Sequence, residues 1–600
     1  MKLKSVTKRL IFYVSKKHSL FSFLFFMFLS VLYFGYHVIF HLKSRFVGFS
    51  ADPSAAIWGF AWFTYAITQH LNIFHTYTVF HPIGLNLTRL NGMPGLNIIF
   101  IPVTLLFGPV VSYNLCAIFA PGIAAWTGYL LINEITRSKL FSFLGSYFYG
   151  FSCYMIAHSL GHPTLVAPAI IIPLLVLLFL HKINEKISSA RFVMLFSFFL
   201  CLLFSFSVEN FATFCFWGSI SFIIAIVMFK KERARLIKTI KLLFASITLT
   251  LIIVSPYLWY FFRENNNASP GFPNSPIMFS NDLLSFVIPH SIFLITKSSF
   301  IYLTSLFSAQ TIMEWNVYVG LPLLFMFFLY VKQEWKSVEG KFITILTSMF
   351  SIASLGPILH LAGVPIVHFP WGFIFTKLPL LKSALPCRLG LYMSLTLSIA
   401  VAVWLKKTSW KFEHRILLVI ISVVFLIPSF NLINRPMVNT IYTPSIFSKE
   451  RIVKFFSRKD NLLMFPYSYS PFMLWQAQSN FAFNLAGGYL GAPPEKYENE
   501  PMFDYLSNSK SNNITRQGLA EFILKFHITK AVMINRYNYI SWRDSVKYPE
   551  DYALATNYTY MEKLILPLSK KVLHAHGVII YIIDQKKILR IVKSKHKCFK

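Results

Sequence analysis

The chain has 600 residues, of which 55% are hydrophobic, 18% aromatic and only 13% charged, with a mean hydropathy of +0.57. That balance excludes an ordinary soluble protein, and the length excludes a single-span anchor, so the chain reads as a polytopic membrane protein. A net charge of +33 would suggest nucleic acid in a soluble chain, but here the basic residues of the first three-quarters sit mostly in short loops between apolar runs, as the positive-inside bias requires, and no nucleic-acid partner is expected.

The N-terminus carries Lys2, Lys4, Lys8, Arg9, Lys16 and Lys17, then an apolar run over 20–40. Its ~20 residues suit a hydrocarbon core of ~30 Å, and it lacks a small-residue cleavage site, so it reads as a retained first span with the N-terminus inside. Ten further runs can cross, over 111–132, 140–158, 164–180, 192–206, 211–229, 242–262, 317–331, 342–361, 385–405 and 416–432. The connections 134–139, 181–191, 230–241, 332–341 and 406–415 are short and basic, hence cytoplasmic. The opposite connections are 43–109, 159–163, 207–210, 263–316 and 362–384, and eleven spans leave the tail after Leu432 on that outer side. The segment 95–109 is apolar but short, with Pro102 inside it and Gly108-Pro109 closing it. A crossing there would turn the basic loops outward, so it is expected to lie in the interface as an amphipathic or re-entrant helix within a structured first outer loop, 43–109.

Two domains follow: a transmembrane module over 1–432 and an extracytoplasmic α/β domain over 433–600. In the second, 462–466, 531–534 and 578–583 read as strands, the last turning through 584–587 into 588–592 as a hairpin. Residues 450–456 and 519–525 read as helical. Gly487-Gly488 and Gly491-Ala492-Pro493-Pro494 are loop signals, and no Walker or dinucleotide motif occurs. The cysteines Cys116, Cys153, Cys201, Cys215, Cys387 and Cys598 show no metal-binding or disulfide spacing.

Of the eleven acidic residues before Leu432, Glu134, Glu185, Glu232, Glu334, Glu339 and Glu413 fall in the basic loops as counter-charge. Asp52, Glu209, Glu264, Asp282 and Glu314 all fall on the outer side near span ends. Ionisable groups at membrane depth are costly unless they line a cavity, so this set points to a polar site opening outward; the alternative is that each ends a helix at headgroup level.

The stretch Ser50-Ala51-Asp52-Pro53 with Ile57-Trp58-Gly59-Phe60-Ala61-Trp62, then His81-Pro82-Ile83-Gly84-Leu85-Asn86-Leu87, Met93-Pro94-Gly95 and Phe107-Gly108-Pro109, resembles the first outer loop of bacterial GT-C superfamily glycosyltransferases. Gly161-His162, Ser280-Asn281-Asp282-Leu283-Leu284, Tyr318-Val319-Gly320-Leu321-Pro322, Ser354-Leu355-Gly356-Pro357, Leu378-Pro379-Leu380 and Pro386-Cys387-Arg388 follow in order and are similar to segments of the same uncharacterised branch. The resemblance covers roughly the first 430 residues.

It implies sugar transfer from a polyprenyl-phosphate carrier to a glycan, lipid or protein acceptor on the outer face of the inner membrane, among membrane lipids. Asp52 matches the early acid that acts as catalytic base: an alcohol is a poor nucleophile, and a carboxylate within ~3 Å can take its proton as the anomeric carbon is attacked. Asp52 is followed by proline instead of a second acid, which departs from the paired-acid pattern. No cofactor is demanded, and a divalent metal stays open. A phosphate leaving group needs a cation, and Arg388, after Lys377 and Lys382, offers a guanidinium suited to bidentate phosphate binding, the alternative being an Arg snorkelling to headgroups. Asp282, Glu314 and His162 are expected to bind substrate, and His158 stands with His162 as a candidate for the acceptor or for orienting an acid. For both histidines, as for His81 and His290, the alternative is a structural role. A lipid-linked sugar flippase or other transporter would share the spans and outer acids, but would also place polar groups on both sides of the midplane. A non-catalytic envelope assembly factor is a third reading.

Overall fold

The computed structural model describes residues 17–49, 51–89, 92–263, 276–305, 307, 312–378, 381, 384–429, 438–440, 443–467, 471–491, 493–507, 513–534, 558–575 and 577–598. Glu264 and Lys382 lie outside them. The chain divides into two compact units, Met1–His41, Asn114–Ser255 and Pro273–Ile433 in one, and Leu42–Tyr113, Pro256–Phe272 and Asn434–Lys600 in the other.

The first unit is helical. Among the described residues, seven helices are long and apolar enough to cross a membrane: Lys17–Gly35, Pro109–Thr136, Pro163–Ile183, Ser189–Phe206, Val208–Met228, Arg233–Ile253 and Pro386–Lys407. Lys139–Gly150 and Cys153–Ser159, bent by 47°, add an eighth if they count as one span. Gly320–Glu334, Val338–Ser354 and Phe412–Phe425 are shorter, at 15, 17 and 14 residues, and lie on the remaining predicted runs. The protein is thus a multi-pass α-helical membrane protein. Pro386–Lys407 is 89% buried against 17% for Val208–Met228, which makes the former the centre of the bundle and the latter part of its rim. Lys139–Gly150 packs on the central helix, where a Cβ on Gly145 would stand 2.7 Å from that of Ala402, so only glycine lets the two backbones approach so closely. The predicted run 242–262 is broken at Val254: the long helix starts earlier, inside the basic stretch, and a second helix, Ser255–Arg263, follows with Pro256 in its first turn.

The second unit joins the long first loop to the tail. The Asp52–Thr68 helix starts with Pro53 in its first turn and buries Trp58 and Trp62, stacked at 5.6 Å. Both rings meet Phe481, and Trp58 Nε1 donates to Gln476 Oε1 at 2.7 Å. Gln476 Nε2 donates in turn to the Thr78 and Phe483 carbonyls at 2.8 and 3.0 Å, so one amide holds loop and tail together. A five-stranded mixed sheet runs in the order Ser569–Ala575, Val578–Ile583, Lys530–Ile534, Asn461–Phe465, Asn484–Leu485. Loop residues cover its short edge strand: Leu485 N donates to Thr78 O, and His81 N to Leu485 O.

Strands Asn461–Phe465 and Lys530–Ile534 and helix Arg516–Lys525 lie where the sequence predicts them, and the predicted 450–456 helix is reduced to Lys449–Ile452. The C-terminal hairpin is a correction. Val578–Ile583 pairs with the preceding Ser569–Ala575, and Gln585–Cys598 is a helix. Asp584 Oδ1 accepts the Lys586 and Lys587 N–H groups at 3.0 and 3.2 Å, an N-cap that starts the helix, and Ile588, Ile591 and Val592 then follow helical spacing. The apolar segment of the first loop forms two short helices, Pro94–Ile99 and Ile101–Phe107, that leave Ile98, Ile99, Leu105, Leu106 and Phe107 exposed.

Candidate functional site

A charged cluster is buried in the helical unit. Ser152 caps the helix that follows the 47° bend, accepting the Met155 N–H at 3.4 Å, and His158 sits in its last turn. His162 N donates to His158 O at 2.8 Å, so the turn continues and the four-residue spacing brings both rings together, Nδ1 to Nδ1 at 2.9 Å. Glu314 ends a 3-10 turn, Ile312–Glu314, and Arg388 lies in another, Pro386–Leu389, that opens the central helix. A Cβ on Gly390 would come within 2.5 Å of the Asn316 carbonyl, so glycine lets the central helix start against the irregular segment after Glu314.

The Arg388 side chain, 12% exposed, is gripped from two sides. Its Nε donates to Glu314 Oε2 at 3.1 Å and Nη2 to Glu314 Oε1, while Nη1 pairs with Glu209 Oε2. Glu209 Oε1 also takes the Leu385 N–H at 3.2 Å, and Glu314 Oε2 accepts from Asn316 Nδ2 at 3.3 Å and Cys387 Sγ at 3.4 Å. Burial by itself would raise the Glu314 carboxyl, but the adjacent guanidinium outweighs it and holds the carboxyl down to about 2. One cation against two carboxylates leaves an excess negative charge. His158, His162 and Glu314 each present a ligand atom, all within 4.8 Å of one another, and His158 Nε2 is buried without a hydrogen-bond partner, 3.9 Å from Glu314 Oε2. Two imidazole nitrogens and a carboxylate are a donor set that suits zinc or manganese, so these residues fit a divalent cation.

The structure therefore brings Arg388, Glu314 and His162 together and adds Glu209 and His158. The i, i+4 histidine spacing was readable in the sequence; Glu209 stood there only as one of the outer-side acids, and nothing local marks its pairing with Arg388, 179 residues away. Asp282 is buried in this unit, with Oδ1 capping Leu284 N at 2.9 Å and Oδ2 accepting Gly363 N at 2.8 Å. Lys377 is exposed after the Phe373–Thr376 turn of helix. His290 bonds Ser291 Oγ at 2.9 Å and lies against Trp315.

Asp52 belongs to the second unit. It is half-buried in the first turn of its helix, and Tyr489 Oη, from the loop after Gly487-Gly488, donates to its Oδ1 at 3.5 Å. Burial, reinforced by the Asp52 charge, raises the Tyr489 hydroxyl above its ordinary value, so it stays a donor. His81, in the same unit, turns its carbonyl to Tyr497 Oη at 2.7 Å and Asn461 Nδ2 at 3.0 Å.

A bundle of membrane helices combined with a C-terminal sheet domain defines a class of fold, and that fold is GT-C-like. The arabinofuranosyltransferase AftD from Mycobacteria is similar at a TM-score of 0.57 and 11% identity, over 95% of this chain and 40% of that one. The chain thus spans well under half the length of that protein. The oligosaccharyltransferase of Archaeoglobus fulgidus is similar at 0.49 and 11% identity over 86% and 69% of the two chains. ArnT from Cupriavidus metallidurans, bound to undecaprenyl phosphate, is similar at 0.47 and 10% identity over 95% and 98%. The fold assignment rests on the first of these. The chain itself belongs to the family described as Domain of unknown function (DUF6311), which matches residues 23–427. Among curated proteins none matches it.

Proposed function

We propose that the chain is an integral membrane glycosyltransferase that moves a sugar from a polyprenyl-phosphate carrier to an envelope glycan, lipid or protein on the outer face of the cytoplasmic membrane. The observation that carries this reading is the likeness of fold, over 95% of the chain, to an arabinofuranosyltransferase. The outer face follows from the basic loops, which assign the N-terminus to the cytoplasm and the tail to the periplasmic or extracellular side.

In this reading Asp52 is the base. Its carboxylate takes the acceptor hydroxyl proton as that oxygen attacks the anomeric carbon, and the bond to the carrier phosphate breaks with its electron pair left on phosphate oxygen. Arg388 uses three of its five N–H groups on Glu209 and Glu314, which leaves two for the donor phosphate, with Lys377 as a second cation. A divalent cation held by His158, His162 and Glu314 would supply Lewis-acid charge that the neutralised arginine does not. Asp282 shapes the neighbouring loop through its two backbone bonds.

The test is mass spectrometry of envelope glycans and lipids from a strain lacking the chain, complemented with wild type or with Asp52→Asn. A glycan missing one sugar in the deletion strain and in the Asp52→Asn strain supports the enzyme. Full restoration by Asp52→Asn rejects Asp52 as base, and accumulation of complete lipid-linked sugar on the cytoplasmic leaflet would favour a flippase.

A further inference from the structure

In the helical unit, residues 355–376 connect Val338–Ser354 to the segment before Arg388, and they contain no Lys, Arg, Asp or Glu. In a chain whose net charge is +33, that is unusual for a connection between helices. The segment is not irregular. Ile358–Leu361 pairs antiparallel with Val364–His368 through a two-residue turn, Ala362-Gly363, whose positive φ values of 52° and 81° match the twist of a tight hairpin. The hairpin is anchored at both ends: Gly363 N donates to Asp282 Oδ2 at 2.8 Å, and Phe369 N to Pro357 O at 2.9 Å. Phe369 and Trp371 stack below it, with centroids 4.1 Å apart.

Every residue of Val364–His368 is exposed. Side chains alternate across a strand, so Val364 and Ile366, at 57% and 55% exposed, point to one face, with His368 at its end, and Pro365 and Val367 to the other. A strand next to water is expected to be apolar on one face at most, and a long exposed apolar edge invites aggregation. A single ligand or groove would cover one face. Two apolar faces need an apolar medium on both sides. The preceding helix likewise exposes Ile345 and Ile352, and Phe373 is exposed beyond the hairpin.

We infer that the 358–368 hairpin is a membrane-interface element, lying at the boundary between headgroups and acyl chains with Leu361, Val364, Ile366 and Val367 in contact with bilayer lipid. Depth is set by the backbone. A five-residue strand reaches only ~17 Å, and a two-stranded hairpin has open edges whose N–H and C=O groups cannot be left in hydrocarbon, so they must meet headgroups or interfacial water. The stacked Phe369 and Trp371 suit that same layer, where aromatic rings collect. Through Asp282 the element is tied to the 279–282 segment, whose Phe279 carbonyl accepts the N–H of Cys387, next to Arg388. The hairpin is thereby a lipid contact coupled by short bonds to the buried cluster.

The full chain, reconstituted in phosphatidylcholine vesicles, tests this with two photoactivatable phosphatidylcholines carrying a diazirine near the glycerol or at the acyl terminus. Adducts at 361–367 are expected, several-fold more with the shallow probe than with the deep one, while Ile345 and Ile352 take label in the same sample. Labelled Ile352 with no adduct at 361–367 would overturn the inference, placing the hairpin in water or against another protein copy. A variant carrying Val364→Asp and Ile366→Asp changes only exposed side chains, so its unfolding temperature should hold. Loss of the hairpin adducts in that variant is expected, and undiminished labelling would also overturn the inference.

Discussion

Arg388 is buried and held by two carboxylates, whereas Asp52 is half-buried at a helix start and takes a long hydrogen bond, 3.5 Å, from Tyr489. The difference matters because a charge that is paired and desolvated is part of what holds the fold, and its removal strands its partners. A half-buried carboxylate in the first turn of a helix keeps access to solvent, so changing its charge is expected to cost the fold less. The two regions, both charged, are thus expected to differ in how far mutation of their charges disturbs the fold.

The largest effect is expected at the buried cluster. Arg388→Ala leaves Glu209 and Glu314 facing one another without a cation, which should cost ~3–5 kcal/mol and lower the unfolding temperature in detergent sharply. Arg388→Lys keeps the charge but not the fork, and should fall between wild type and alanine. An unchanged unfolding temperature for Arg388→Ala would erase the contrast between the regions.

Asp52→Asn sharpens it from the other side. Loss of the base should reduce sugar transfer by ~10²–10⁴-fold, with the unfolding temperature as in wild type. Parallel loss of stability would show that Asp52 is built into its unit as firmly as Arg388 is into the bundle. His162→Ala comes next: it removes one of the three candidate ligands without touching the Arg388 pairs, so zinc or manganese retained after purification, read by mass spectrometry of the metal, should fall while the fold persists. Metal content equal to wild type would reduce the two histidines to structural partners.

A further expectation concerns acid. The Glu314 carboxyl is depressed from its ordinary value of 4.5 to about 2 in the fold, so its contribution to stability is complete above pH 4.5 and is lost as pH falls through about 2. This group therefore adds no slope between pH 8 and 5. Glu314→Gln should flatten the acid side of the unfolding curve.

How much of this was legible depends on distance along the chain. The eleven apolar runs each hold a helix because a buried or lipid-facing helix needs only local composition, and the His158–His162 spacing is visible within one turn. The bond from Trp58 to Gln476 spans 418 residues and the Arg388–Glu209 pair 179, and no local pattern encodes either. The joining of the first loop to the tail and the double grip on Arg388 therefore emerge only in the structure. The tail hairpin failed for another reason: Ile588 to Val592 satisfies strand and helix spacing alike, and the cap from Asp584 decides between them.

The smallest effect is expected at Tyr489→Phe. The phenol donates to Asp52 at 3.5 Å, a length at which a hydrogen bond is weak, and it touches the ionised form of the carboxylate. Removing the donor should disfavour the ionised carboxylate, since a bond to the charged form favours that form. As the base must be ionised, the acid limb of the pH–rate profile should move slightly to higher pH, while the plateau rate is retained. A merely structural tyrosine would change the plateau or the unfolding temperature and leave the limb in place. A limb shift as large as a full unit would mean that the tail holds Asp52 much more tightly than 3.5 Å suggests, and the two charged regions would then differ less than their geometry implies.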